Sequence, residues 1–266
     1  KTNSKILISS RVRDVLEGGE IIDVCVPSAS DAVEMLLSTA ELDVDALKGY
    51  AEVARIAELC RRLPLTIGVA GKLIRQLVNG SSMTETSDWA DVVALLEEEL
   101  HDPDGNHSIE ESVIRASMKA IPRKIRKQAT RLFHGFALAP EDTCVPLSVL
   151  GMIYDACGET TSKPVSRLHV RQYLKVLIDR SLVLGTVDRP QLHDVMLDYV
   201  QKELTGEPYK AAQRQLVEGF RKSDRSTATP VGKYMQQNVR HHTKESYDAT
   251  WERSQQAISW LEDHVA

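Results

Sequence analysis

From Ser28 onward, apolar residues recur three and four positions apart along the chain. That spacing lines one face of an α-helix, so it confines the chain to a mainly helical fold. A serine-rich cap precedes a predicted helix at residues 31–38, and a second spans 50–62 with Val53, Ile56, Ala57 and Cys60 on one face. Pro64 suits the first turn of a third helix reaching residue 77. Trp89, Val92, Val93, Leu96 and Leu100 mark the buried stripe of a fourth, and these four helices are expected to form one bundle. Ser108 with Glu111 is a capping box, each side chain serving the other's backbone N–H, and opens a helix to residue 120.

Pro122 ends that helix. Further helices are predicted at 124–133, 147–157 and 166–179, the last with Tyr173, Leu174, Leu177 and Ile178 on its apolar face. The period then changes: 181–187 reads as a strand, 188–190 as a turn, and a helix from 194 to 204 follows Gln191-Leu192. Helix, helix, two-stranded hairpin, helix is the order of a winged helix. Beyond 205–208, helices are expected at 209–220, 231–242 and from 246 on, joined by a polar linker at 222–229. No fixed-period repeat interrupts this order.

Ahead of Ser28 the pattern differs. Ile6-Leu7-Ile8 reads as a strand buried on both faces of a parallel sheet, and residues 21–26 as a second short strand. Two short strands cannot complete a sheet, so the remainder is expected upstream of Lys1, with both chain ends cut. The expected class is therefore mainly α, with remnant strands of a parallel α/β nucleotide-binding domain at 1–27. A helical domain at 28–120, a winged-helix domain at 121–204 and the start of a second helical domain at 205–266 follow.

Composition narrows the function classes. Lys and Arg number 33 against 38 Asp and Glu, and the net charge of -5 argues against nucleic acid as the main partner. No apolar stretch approaches the ~20 residues of a membrane span, and there is no signal-peptide core, so a cytoplasmic protein with no membrane partner is expected. Cys25, Cys60, Cys144 and Cys157 form no C-x-x-C pair and are expected to be buried, reduced thiols.

Several tempting motifs fail their physical requirements. Gly68-Val69-Ala70-Gly71-Lys72-Leu73 approaches a phosphate loop, but Thr66 stands at the first glycine position and Leu73 at that of the Mg²⁺-binding hydroxyl, so it reads as helix. Asp102, Asp104 and Asn106 alternate like an EF-hand start, yet Gly105 misses the sixth position and Val113 replaces the bidentate Glu. His101 with His107, and His241 with His242, lack ligand spacing, and no Ser or Cys nucleophile has a legible base. No metal site and no catalytic residue is expected in this chain.

Three segments remain. Ser9-Ser10-Arg11 ends a strand, where parallel sheets bind ligands, and Arg presents a charged fork suited to polyphosphate. Cys60-Arg61-Arg62-Leu63-Pro64-Leu65 joins a helix end to a new helix through a rigid turn. Leu192-His193-Asp194 puts an imidazole at a helix N-terminus, where Asp194 can cap and His193 can meet an anion. Singly, each also reads as an ordinary loop, turn or cap.

In this order and at these separations, the three segments resemble the carboxyl-terminal part of the NB-ARC family of signal-transduction ATPases, which includes plant disease-resistance receptors and apoptotic adaptors. Ile8-Ser9-Ser10-Arg11 is similar to its sensor motif, Arg62-Leu63-Pro64-Leu65 to its Gly-Leu-Pro-Leu motif, and Leu192-His193-Asp194 to its Met-His-Asp motif. Residues 117–122 and 133–142 resemble the family's approach to the winged helix, so the similarity covers about residues 4–204. Tyr234 to His242 is similar to the second helical domain of the adaptor-type members.

The resemblance implies that ADP or ATP, with Mg²⁺ in the intact protein, is the ligand. Arg11 would sense the terminal phosphate of ATP, Pro64 would pack on the adenine, and His193 would contact the β-phosphate of ADP and hold the winged helix closed and inactive, with Ser10 and Leu63 beside them in the nucleotide-binding set. Exchange to ATP would release the winged helix and permit homo-oligomerisation. Arg62 stands where the family has Gly and Leu192 where it has Met. No phosphate loop and no Mg²⁺-binding strand occurs in the chain, so ATP turnover, if any, would need the amino-terminal half of the nucleotide-binding module. Two other readings compete: a nucleotide-independent interaction scaffold, and a DNA-binding winged helix with Arg167, His169, Arg171, Lys175 and Arg180 on its recognition helix. The basic run 115–131 lies beside the acidic run 85–104, so intramolecular pairing competes there with any external polyanion.

Overall fold

The computed structural model describes residues 8, 22–78, 86–101, 107–158, 164–223 and 226–246. Over them the chain is mainly helical. The first helix, α1 (Ala29–Ala40), begins where the Ser28 side chain accepts the Asp31 N–H, and a short α2 (Val44–Leu47) is capped the same way by Asp43. The periodicity did not show α2, which is barely one turn long. Then come α3 (Ala51–Leu59), α4 (Pro64–Val78), α5 (Thr86–Leu100) and α6 (Ile109–Lys119). Helix α1 packs on α3 and α4, α3 on α5, and α6 on both α4 and α5. Leu36, Leu37, Ile56, Ile67, Leu73, Ile74, Trp89 and Leu96 are fully enclosed there. Each such side chain contributes about 1.5–3 kcal/mol relative to exposure. A Cβ on Gly71 would meet the Thr39 side chain at 2.7 Å and Leu36 O at 3.0 Å, so glycine sets how closely α4 approaches α1.

The capping box forms as expected: Ser108 Oγ accepts the Glu111 N–H and Glu111 Oε2 accepts the Ser108 N–H. After Pro122 come α7 (Arg123–Gly135), a 3-10 turn at Phe136–Leu138, α8 (Leu147–Ala156), α9 (Arg167–Ile178), the hairpin β1 (Leu184–Thr186) and β2 (Arg189–Gln191), and α10 (Asp194–Glu203). The hairpin is antiparallel with Gly185 opposite Pro190, so its turn is Val187-Asp188 rather than 188–190. Pro190 lies inside β2 and remains useful there, because its carbonyl accepts the Val145 N–H at 3.1 Å. Gly185 adopts φ 81°, and a Cβ there would sit 2.2 Å from Arg189 O. Finally α11 (Gly206–Lys222) and α12 (Pro230–Ser246) pair with each other and pack on α8. The expected break between 242 and 246 does not occur, since α12 runs through both positions.

Two further expectations fail. Residues 22–26 are neither strand nor helix, and Ile22, Val24 and Val26 are exposed. A strand needs a ladder partner, and the described residues supply none. The Ile6-Leu7-Ile8 run lies outside the described residues except for Ile8, which is also half exposed. Cys25 and Cys144 are exposed, against the expectation of burial, while Cys60 is sealed in the core and Cys157 is half-buried. No helix among the described residues is long and apolar enough to cross a membrane.

Candidate functional site

Helix α3 ends in an unusual way. Arg61 (φ 48°) and Arg62 (φ 57°) both adopt the left-handed conformation, which non-glycine residues avoid because Cβ crowds the following carbonyl. The chain accepts this because the turn satisfies the freed carbonyls: the Arg61 N–H donates to Glu58 O at 2.8 Å and the Arg62 N–H to Ala57 O at 3.0 Å. The buried Thr66 hydroxyl, in the first turn of α4, lies 2.7 Å from Cys60 O and 2.9 Å from Leu63 O and ties the new helix back to the old one. Arg62 reaches Pro27 O at 3.4 Å and Glu58 at 3.6 Å. Leu63 is half-buried, whereas Pro64 is exposed at the helix start. Burial pushes the neighbouring Cys60 thiol up to about 12, so it is inert as a nucleophile.

The second segment begins α10. Here the expected division of labour is reversed: His193, not Asp194, is the cap, with Nδ1 accepting the Val195 N–H at 3.2 Å. A ring that accepts at Nδ1 carries its proton at Nε2 when neutral. Asp194 occupies the first helical position, and the His193 ring is exposed. Leu192 is buried beside it.

Ser10 and Arg11 lie outside the described residues, as do Asp102, Asp104, Gly105 and Asn106. The phosphate-loop look-alike is interior to α4, with Ala70 and Leu73 in the core. Helix α4 packs on α1 and α6, and α10 on α7 and the 3-10 turn. Among the described residues no hydrogen bond or ion pair joins Leu63 or Pro64 to His193, so these two are carried separately. No group of three or more His, Cys, Asp and Glu gathers as a metal site among the described residues.

Two members of the basic run, Arg115 and Lys119, pair with the acidic run, the intramolecular match that the charge pattern raised. Arg115 lies 3.5 Å from the buried Glu99, and Lys119 pairs with both Glu98 and Glu99. Arg126 donates to Ile121 O at 2.9 Å, and the Arg131 guanidinium sits 4.0 Å over the Tyr154 ring.

Two polar clusters escaped periodicity. Glu111 is nearly buried and meets the Ser108 amide, His107 Nδ1 at 3.3 Å, and the Lys202 ammonium from α10. Burial alone would raise its pKa, but the ammonium, the amide and the imidazole together hold it below the usual value. The second cluster is sealed. The Tyr234 hydroxyl donates to His242 Nε2 at 3.0 Å, His242 Nδ1–H donates to Gln213 Oε1 at 2.8 Å, and Gln213 Nε2 donates to Leu138 O and Tyr209 Oη, both at 3.1 Å. Burial lowers the His242 pKa to about 3, helped by the adjacent His241. Its only sequence signal is the i, i+8 pair Tyr234 and His242 on one face of a helix, two turns apart. With every heteroatom engaged, this cluster is a structural lock rather than a reactive centre. The sequence matches no family model and no curated protein.

Proposed function

We propose that this chain is the regulatory part of an ADP/ATP-dependent signalling switch. The reading rests on the resemblance to NB-ARC ATPases, and one observation carries it further: His193 caps α10 through Nδ1 and keeps an exposed ring whose Nε2–H can donate to an anion. An imidazole so fixed beside a helix N-terminus suits a phosphate oxygen, because the ring proton and the helix dipole favour the same charge. Pro64, exposed at the start of α4, is a flat apolar surface of the kind an adenine ring packs on. The left-handed Arg62 supplies a physical reason for the glycine that the family has at this position.

In this reading α7 to α10 form a winged helix that ADP holds closed through His193, and the nucleotide-binding half of the same module provides the phosphate loop and the Mg²⁺ site. This chain's own residues orient and sense the nucleotide and do not hydrolyse it. Phosphate-loop contacts are charge-assisted hydrogen bonds of about 1.5–3 kcal/mol each. Without several of them, the 266-residue chain should bind ADP more weakly than micromolar. In the intact protein His193→Ala should speed ADP release and favour the oligomer, read by calorimetry and by light scattering. A variant as ADP-bound and as monomeric as wild type removes the role given to His193.

A further inference from the structure

We propose that the outer face of α9, with the β1–β2 hairpin beside it and the first turns of α7 at its end, binds duplex DNA, with α9 in the major groove. This surface is separate from the nucleotide-sensing segments, and the inference does not depend on them.

Helix α9 carries no carboxylate between Arg167 and Ile178, and it turns Val170, Tyr173, Leu174 and Leu177 into the core against α7 and α8. That rotation leaves Arg167, Arg171 and Lys175 exposed, four residues apart on one stripe. At 1.5 Å per residue they span about 12 Å along the axis, comparable to the ~12 Å width of the major groove. Between them Leu168 is 74% exposed, an apolar side chain placed to meet a thymine methyl.

Pairing elsewhere sharpens the choice of surface. Arg115, Lys119, Arg126 and Arg131 are engaged within the chain, and Arg180, which belongs to the same helix in sequence terms, is buried and donates to Ala120 O at 3.3 Å. On α9 only Arg171 approaches a carboxylate, Asp188 at 3.9 Å, and both are more than half exposed. Arg167 and Lys175 form no ion pair among the described residues. The Asp188 contact ties the hairpin tip to α9, and Arg189, the next residue, is exposed. The Arg180 contact sets the segment after α9 against Ala120 at the end of α6, three residues before α7, on which Arg123, Lys124 and Lys127 are exposed. Among the described residues Asp155, which accepts the Val165 N–H at 3.0 Å, precedes the stripe, Asp179 follows it and Asp188 pairs with Arg171, so α9 itself is not interrupted by a carboxylate. The net charge of -5 weakens long-range attraction, but screening over about 8 Å at physiological salt leaves the local stripe to decide contact.

Fluorescence anisotropy of the full chain with a labelled duplex of about 20 base pairs tests this. Three to six phosphate contacts predict log K falling with log salt at a slope of about -3 to -5. Arg167→Glu/Arg171→Glu/Lys175→Glu should weaken binding at least ~30-fold at low salt, whereas Lys222→Glu/Lys233→Glu/Lys244→Glu, the same charge change on α11 and α12, should cost no more than ~3-fold. Should the first variant fail to fold by circular dichroism, Arg171→Gln and Leu168→Ala replace it, each expected to cost roughly 5-fold. Double-stranded RNA should bind about tenfold more weakly, because its major groove is too narrow for a helix. No binding at low salt, a flat salt slope, equal losses in the two triple variants, or equal affinity for RNA each overturns the proposal.

Discussion

Where α6 meets α10 the contact is charged and partly solvated, whereas α11 and α12 meet each other and the 3-10 turn through a buried network centred on the neutral side chains of Gln213 and His242. At the first junction Lys202, largely exposed, neutralises the nearly buried Glu111. At the second, Gln213 and His242 are fully enclosed, and their own side-chain hydrogen bonds all go to uncharged groups. An exposed ion pair yields to water and salt at little cost, but a buried polar group stripped of its partner loses its full desolvation energy. The two junctions should therefore answer differently to mutation, pH and salt.

The largest expected effect is at the sealed junction. His242→Ala leaves the Tyr234 hydroxyl and the Gln213 carbonyl unpartnered at about 1–3 kcal/mol each, so urea denaturation should show a loss of about 3–5 kcal/mol once the cavity is included. A loss below ~1 kcal/mol would mean the network is not what holds the tail.

Next comes acid. The folded His242 ring stays neutral down to about 3, while the unfolded ring takes up a proton near its ordinary 6.5. Stability is thus complete above about pH 6.5 and falls as pH drops toward 3, by about 1.4 kcal/mol per unit. Half-buried His134 and His241 are shifted the same way and add to the slope, so His242→Gln should shallow it without flattening it. Glu111, whose pKa is lowered, contributes only as pH falls through the carboxylate range. The interval from pH 6.5 to 5 therefore reports the histidines alone, and an unchanged slope in the variant would contradict the assignment.

At the charged junction Glu111→Ala removes a capping box, worth about 0.5–2 kcal/mol. Lys202→Met should lower the melting temperature at low ionic strength and match wild type near 1 M salt, where the Debye length is about 3 Å. A deficit that persists in salt would show that Lys202 acts through packing.

The smallest effect concerns Arg62. Glycine removes the left-handed strain of about 1–2 kcal/mol but frees the unfolded chain by about 0.4–1 kcal/mol, so Arg62→Gly should be neutral or stabilising by under ~1 kcal/mol. Marked destabilisation would instead credit the contacts of Arg62 with Pro27 and Glu58.

Helices and caps were legible because they are local. Ser108 with Glu111, and Val53 with Ile56 and Cys60, carry their own geometry in their spacing. What the spacing could not convey depended on distant partners. Arg61 and Arg62 carry no left-handed signal, and their conformation is stabilised by Thr66 reaching back across the joint. Pro190 read as a turn residue because nothing local shows that its strand belongs to a two-stranded hairpin, where a missing N–H is tolerated, or that Val145, far away in sequence, takes up its carbonyl. Residues 22–26 showed strand composition, but composition does not provide a ladder. Of the candidate site, the places of His193 and Pro64 at helix starts were readable, whereas the cap made by His193 itself was missed because Asp194 is the commoner capping type.

Residues 22–26 leave one practical handle. Ile22, Val24 and Val26 stand in water at alternate positions, and Cys25 stands exposed among them, with Cys144 exposed in the loop before α8. Any sheet edge or protein that covers this run must also shield a thiol, so the ratio of maleimide labelling at Cys25 to that at Cys144 is a built-in footprint of what the segment touches.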